Sequence, residues 1–295
     1  MAKRNLLIAC LSSFFLLTIL GCGSRQDSGQ DSSSNTIRVE GSDTMVNLAQ
    51  AWAEKYQTEK SEITIEISGG GSGVGISSLT QGLADMANAS RKMKDKEIRR
   101  AKNEFNLDPQ EFTVGKDALA IYVHKDNPLE EITIAELTAI YGEGGATNTW
   151  TELGVSVTGT SNQQIVRVSR QNNSGTYAYF RQYVLDDNDF KLGSIDLSGS
   201  ADVVSMVEKT LGAIGYSGMG YATDGVKMLK VKIDTDSPSV APNAANVTNG
   251  TYPISRPLLI YTPTIPTGIV KDYLDWILGT TGQSIIEEMG YVPVQ

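Results

Sequence analysis

The sequence predicts an α/β fold with largely parallel sheets, and three observations carry that expectation. A β-branched strand running into a Gly/Ser-rich loop and then a helix occurs three times. Strand patterns otherwise alternate with helix patterns, the order that builds parallel sheets covered by helices. With 295 residues, 40% hydrophobic and 20% charged, the chain suits one large domain or two ordinary ones and is too apolar for wholesale disorder.

Taken in order, the first residues stand outside that fold. Lys3 and Arg4 precede an uncharged run over residues 5–20, which ends Ile19-Leu20-Gly21-Cys22. A positive start, an apolar stretch and a small residue before a cut are the parts of a secretory signal. The run is shorter than the about 20 apolar residues of a membrane span. Cysteine directly after Gly21 is similar to a bacterial lipobox, which implies cleavage before Cys22 and a diacylglycerol on its sulfur; an ordinary secretory signal or a short anchor is the competing expectation. On the lipoprotein reading residues 1–21 are signal, Cys10 leaves with them, and the mature chain has neither free thiol nor disulfide. Losing Lys3 and Arg4 leaves 23 basic residues against 34 acidic ones, a net charge of −11. Residues 22–35 are rich in Ser, Gln and Asp and read as a flexible tether with an r.m.s. span of roughly 20 Å. No further span candidate follows, so the remainder is expected to be soluble and tethered.

The three phrases come next. Residues 36–40 alternate as a strand and enter Gly41-Ser42-Asp43-Thr44-Met45, then a helix with Met45, Ala49, Trp52, Ala53 and Tyr56 at three- and four-residue spacing. Residues 62–68 form the second strand, feeding the glycine-rich stretch 69–73 and a helix through Ile76, Leu79 and Leu83. Residues 165–169 form the third, followed by the loop 170–176 and a helix carrying Tyr177, Phe180 and Val184.

The loops hold the chemistry. A helix N-terminus offers unpaired N–H groups and about half a positive charge, which suits an anion. Glycines let backbone approach an oxyanion, and Ser or Thr adds hydroxyl donors. Any strand-to-helix turn favours such capping residues, so one loop alone says little; three, the last opening on Arg170, point to an anion site. In so acidic a chain the donors must be pre-aimed and shielded from water, which favours a deep site between two lobes over a surface patch. Arg170 and Arg91 are the candidate counter-ions, since a guanidinium can fork onto two oxygens; the competing expectation for each is an ordinary surface arginine.

Other classes fit poorly. The acidic balance offers no field to collect nucleic acid, and one histidine with two cysteines leaves almost nothing for a structural zinc site. Residues 69–75 lack the lysine of a nucleotide-binding P-loop. No G-x-S-x-G occurs, since Ser72 is followed by Val74 and Ser217 by Met219 at the second glycine position. His124 is expected to be a solvated residue at a strand end rather than part of a triad. Asp117 and Asp85 carry no distinguishing pattern. No cofactor and no metal are expected.

The ordered phrases across residues 39–294 resemble the PstS-like family of phosphate-binding proteins of ABC importers. They are Gly41-Ser-Asp-Thr44, Gly69-Gly-Gly-Ser-Gly-Val-Gly75, Ala84-Asp-Met-Ala-Asn-Ala-Ser-Arg91 and Val114-Gly-Lys-Asp-Ala-Leu-Ala-Ile-Tyr-Val123. Further on come Leu137-Thr-Ala-Ile-Tyr-Gly142 with Trp150, the loop 170–176, Gly212-Ala-Ile-Gly-Tyr216, Tyr252-Pro-Ile-Ser-Arg-Pro-Leu258 and residues 282–293. The resemblance implies a two-lobed periplasmic-binding-protein (type II) fold with two crossover hinge strands. Lobe I would take residues 36–119 plus 255–295 and lobe II residues 120–254, with residues 118–122 and 257–261 as the crossovers.

It implies inorganic phosphate as the ligand, bound at Ser42, Asp43, Thr44 and the Met45 amide in the first loop and Ser72 in the second. From the far lobe come Arg170, Ser174, Gly175 and Thr176. Where many relatives carry an acidic residue this chain reads Ser90-Arg91, so these two could contact the anion directly, and Asp43 is the candidate acceptor for the proton that phosphate has and sulfate lacks. The competing role for Asp43 is an N-cap carboxylate serving only its helix. Asn172 stands where an acidic partner of Arg170 is frequent, which would leave Arg170 less firmly oriented. The implied partners are phosphate and the permease subunits of the importer; the chain would be a monomer, would touch the membrane only through its lipid and would lie in the periplasm or elsewhere outside the cytoplasm. Alternatives left open are another tetrahedral oxyanion, a surface phosphate sensor or adhesion-type protein without transport, and a phosphatase-like hydrolase.

Overall fold

The computed structural model describes residues 35–294; the expectations for the signal and for Cys22 lie outside them. All three predicted phrases fold as strand, loop and helix. β1 (Thr36–Gly41) leads into α1 (Val46–Glu59), whose Leu48, Ala49, Trp52, Ala53 and Tyr56 are buried, the stripe that the spacing predicts with Leu48 added. β2 (Thr64–Gly70) leads into α2 (Ser72–Thr80), two residues later than the alternation alone suggests. The strand runs on into its glycines because Gly70 and Gly71 take φ values of 105° and 92°, which turn the chain straight into the helix. β3 (Met86–Ala89), α3 (Asp95–Phe105) and the 15-residue β4 (Gln110–His124) follow.

Beyond β4 come β5 (Glu131–Thr133) and α4 (Ile134–Tyr141), then the third phrase as β6 (Val166–Arg170) and α5 (Gly175–Tyr183). The rest is β7 (Ile195–Leu197), α6 (Ser200–Glu208), β8 (Ala213–Gly218), β9 (Val226–Met228), β10 (Lys230–Lys232), α7 (Ala244–Thr248), β11 (Ser255–Thr262), α8 (Gly268–Leu278) and α9 (Thr280–Glu288).

The main sheet runs β2-β1-β3-β11-β4-β8-β6-β7, with β9 also beside β4. Each end is parallel: β1 with β2 and β3, β6 with β7 and β8. The middle is antiparallel, at β3–β11, β11–β4, β4–β8 and β4–β9. The sheet is therefore mixed, and its antiparallel strands are the ones that join the halves. At about 3.3 Å per residue β4 is about 50 Å long, enough to serve both. Its residues up to Ala118 pair with β11, and from Leu119 onward it pairs with β8. The return passage lies alongside, because the Leu119 N–H donates to the Ile254 carbonyl at 3.0 Å and Ala118 faces Ser255. Residues 257–261 lie past that passage, inside the first half between β3 and β4.

The sheet of the first half is covered on both faces. Met86 joins the large core with α1, whereas Ala87 and Ala89 join Ile76, Leu79 and Tyr261 under α2. In the second half Tyr216 stacks on Phe180 at 4.1 Å, and the Tyr141 hydroxyl donates to the carbonyl of Ile214. His124 ends β4 half-covered rather than solvated, its Nδ1 accepting the Asp126 N–H at 3.1 Å.

Close packing of α2 on β1 requires Gly75: a Cβ there would lie 2.3 Å from the Glu40 carbonyl oxygen and 2.6 Å from the Gly41 Cα. Gly75→Ala is expected to cost about 1–3 kcal/mol through overpacking, read as a lower denaturation midpoint with an unchanged slope.

Candidate functional site

The first loop is shaped by its backbone. The Ser42 N–H donates to the Asn88 carbonyl and the Met45 N–H to the Ser42 carbonyl, both at 2.9 Å. The Met45 amide is thus engaged within the turn, and α1 begins without a side-chain cap. Two phenols brace the loop from outside, Tyr221 donating to the Asp43 carbonyl and Tyr291 to that of Thr44, each at 2.7 Å. Burial pushes the Tyr221 hydroxyl up to about 12, so it stays a donor at neutral pH. Asp43 does not cap α1. Its Oδ1 accepts the Gly70 N–H at 3.0 Å and its Oδ2 accepts from Arg170 at 3.1 Å, tying the first loop to the second and to the opposite half.

The second loop contributes Ser72 at the start of α2. Its Oγ accepts the Ser90 N–H at 3.1 Å and lies 3.5 Å from the Ser90 Oγ. Ser42 Oγ donates to the Ser90 Oγ at 3.0 Å, so Ser90, the residue after β3, joins the first two loops into one hydroxyl cluster.

The third loop meets that cluster from the other half. Ser174 caps α5, its Oγ accepting the N–H groups of Thr176 at 3.1 Å and Tyr177 at 3.4 Å. Gly175 packs so tightly that a Cβ would stand 2.2 Å from the Ser72 Oγ and 2.5 Å from the Ser90 Oγ. Thr176 Oγ1 lies 2.9 Å from the Thr44 Oγ1. At the rim the Gly73 N–H donates to the Asn173 carbonyl at 3.1 Å and Asn173 Nδ2 donates to the Gly70 carbonyl at 2.8 Å. Hydroxyls at the three turns therefore come together, buried, where the halves touch.

The two nominated arginines part company. Arg170 is 1% exposed and donates to the Ser198 carbonyl at 2.6 and 3.2 Å, to Ser200 Oγ at 2.9 Å and to Asp43. Burial pulls its guanidinium below the usual value while Asp43 pushes it back. Its orientation does not depend on Asn172, because Asp43 and the two serines supply the partners. Arg91, by contrast, turns away: both its terminal nitrogens fork onto Glu97 of α3, at 2.8 and 2.7 Å. Burial pushes the Glu97 carboxyl up, but that fork and the Lys94 N–H outweigh it and hold it below the usual carboxylate range. Of the pair Ser90-Arg91, only Ser90 sends its side chain to the cluster.

Sequence reasoning missed Arg256, Asp117 and Ser200. Arg256 of β11 bonds Asp117 of β4 and reaches both Thr44 and Thr176, while Ser200 links Arg170 to within 3.5 Å of Thr44. A signal existed: Asp117 and Arg256 are charges set inside or against apolar strand runs, where a lone charge needs a partner.

Two parallel-stranded halves joined by adjacent passages, with polar loops of both meeting at one buried point, define the two-domain periplasmic-binding-protein class. A family model described as a PBP superfamily domain matches residues 26–281. The phosphate-binding protein PstS of Pseudomonas aeruginosa is 36% identical over 272 residues, covering 88% of this chain and 84% of the relative. That of Bacillus subtilis is 33% identical over 304 residues, covering 100% and 95%. Among solved structures, a candidate phosphate ABC transporter substrate-binding protein from Clostridium perfringens, with bound phosphate, superposes with a TM-score of 0.77 at 30% identity, over 88% of this chain and 100% of that one. The chain belongs to the PBP superfamily and, within it, to the PstS-like phosphate-binding proteins.

Gly175→Ala would wedge a methyl between Ser72 and Ser90. Anion affinity is expected to fall by about tenfold or more, about 1.4 kcal/mol, with the far-UV spectrum unchanged, since the wedge acts only where the halves meet.

Proposed function

We propose that the chain captures inorganic phosphate between its halves and delivers it to an ABC importer, without covalent chemistry. The observation that carries the reading is the meeting of Thr44 and Thr176 hydroxyls, one from each half, between two buried guanidiniums, those of Arg170 and Arg256. Hydroxyls and the Arg170 guanidinium are donors that an oxyanion's acceptors would satisfy out of water, where each is worth more than at a surface. The ligand set is Ser42, Thr44, Ser72, Ser90, Arg170, Ser174, Gly175 and Thr176, with Asp43 as acceptor. Arg91 and the Met45 amide leave it, having partners of their own. Because donors come from both halves, binding would favour the closed arrangement. The lobes would divide near Leu119 and Ser255.

Calorimetric titration with phosphate, sulfate, arsenate and molybdate tests the reading. Phosphate and arsenate should bind, and sulfate should bind more weakly; silence toward phosphate would end it. Asp43→Asn should weaken phosphate more than sulfate, by about tenfold, because a carboxylate accepts the phosphate proton and an amide nitrogen cannot. An equal loss for both anions would remove Asp43 as acceptor.

The periplasmic or extracytoplasmic location and the lipid on Cys22 rest on the sequence, and among the described residues no helix is long and apolar enough to cross a membrane. The mature chain should begin at Cys22 with its mass raised by a diacylglycerol; an unmodified N-terminus by mass spectrometry would refute the anchor.

A further inference from the structure

Of the glycine-rich stretch 69–73 the proposed ligand set takes only Ser72, and the backbone around it is engaged elsewhere. The Gly70 N–H goes to Asp43 at 3.0 Å and the Gly71 N–H to the Gly41 carbonyl at 2.9 Å, so these amides are not a cradle for the ion. What the glycines admit is Asn173, from the loop of the opposite half. A Cβ at residue 71 would lie 2.7 Å from the Asn173 carbonyl oxygen and 3.2 Å from the Ser174 nitrogen, and one at residue 73 would lie 3.2 Å from the same oxygen. With both positions bare, the two backbones come within hydrogen-bond reach. The Gly73 N–H donates to the Asn173 carbonyl at 3.1 Å, and Asn173 Nδ2 donates to the Gly70 carbonyl at 2.8 Å. A carbonyl only accepts, so the amide nitrogen of an asparagine can seal this contact and a carboxylate could not.

Neither bond involves a hydroxyl or guanidinium of the proposed ligand set. Both form only where the halves meet, because Gly70 and Gly73 follow β2 and Asn173 follows β6. A contact made in one of two arrangements favours that arrangement by its own free energy and leaves the other alone. We propose that Asn173 is a positioning residue that clasps the glycine loop across the rim of the cleft and sets how long a captured anion stays, without choosing which anion is captured. The inference rests on the phosphate-binding reading above. An arriving ion meets parted halves, so the clasp has no part in arrival. A leaving ion waits for the halves to part, so both rim bonds must break before it goes.

The clasp carries its own reporter. Gly73 is the second residue of α2, and the first four N–H groups of a helix have no partner within it. Its N–H is therefore shielded from exchange with solvent while the Asn173 carbonyl holds it and exposed once the halves part.

The test is rapid-mixing measurement of phosphate association and dissociation for the wild type, Asn173→Ala, Gly73→Ala and, as a control, Asn172→Ala at the exposed neighbouring position. Each protein is checked by thermal melting, and exchange of the Gly73 amide is followed by NMR in phosphate-saturated wild type and Asn173→Ala. Asn173→Ala removes one rim bond and Gly73→Ala presses on the other. Each should speed dissociation by about threefold to tenfold, the effect of one hydrogen bond, without slowing association. Asn172→Ala should release phosphate at the wild-type rate. The ratio of phosphate to arsenate affinity should stay at its wild-type value throughout, and Gly73 protection should fall in Asn173→Ala. Unchanged dissociation or unchanged Gly73 protection in folded Asn173→Ala would overturn the proposal. So would an altered ratio of the two anions, which would put Asn173 among the groups that select the ion. Absence of phosphate binding by the wild type would overturn the functional reading first, and this inference with it, before any substitution is compared.

Discussion

A guanidinium taken out of water needs every partner it can find, and this protein buries two at the same place. The cost of desolvating such a group is several kcal/mol unless hydrogen bonds and an opposite charge replace its hydration. Much of the central architecture answers that requirement. Asp43, Ser198 and Ser200 surround Arg170; Asp117, Thr44 and Thr176 surround Arg256. The partners come from both halves of the sheet, so the same bonds that settle the two cations also hold the first loop against the third. With two carboxylates against two guanidiniums, the local charge is balanced. An anion would be held here by aimed donors rather than by a surplus of positive field, which is consistent with a chain whose overall charge is strongly negative.

The sheet explains how such distant residues meet. Parallel strands at each end bring their loops to the carboxyl edge, where helices begin. Antiparallel β4 and β11 then join the two ends with paired backbone rather than loose linkers, and Asp117 and Arg256 sit on these strands close to the point where pairing changes from one half to the other. The pair lies at the passage itself, between the loops it connects.

Much of this was legible in the chain. The strand–loop–helix phrases, the buried stripe of α1, and the glycines of the second loop follow from alternation, spacing and turn chemistry. Arg170 could be singled out because it opens a capping loop. What could not be read was partnership across long separations. Arg91 looks as available as Arg170 until α3 supplies Glu97, six residues on and folded back. Asp43 reads as a proton acceptor for the anion or as a helix cap, and only the fold delivers Gly70 and Arg170 to its two oxygens. Asp117 and Arg256 are 139 positions apart, and neither run alone tells which charge will answer the other. The parallel expectation failed in the middle of the sheet because alternation marks a strand but not its direction.

The clasp at the rim between Asn173 and the glycine loop has an evolutionary consequence. Three of its four polar groups, the Gly70 carbonyl, the Gly73 N–H and the Asn173 carbonyl, belong to the main chain and survive any change of side chain short of proline at position 73; the Asn173 amide alone is a side-chain group. A change at this one codon would therefore remove a bond between the halves at the rim while Thr44, Thr176, Arg170 and Arg256 keep theirs.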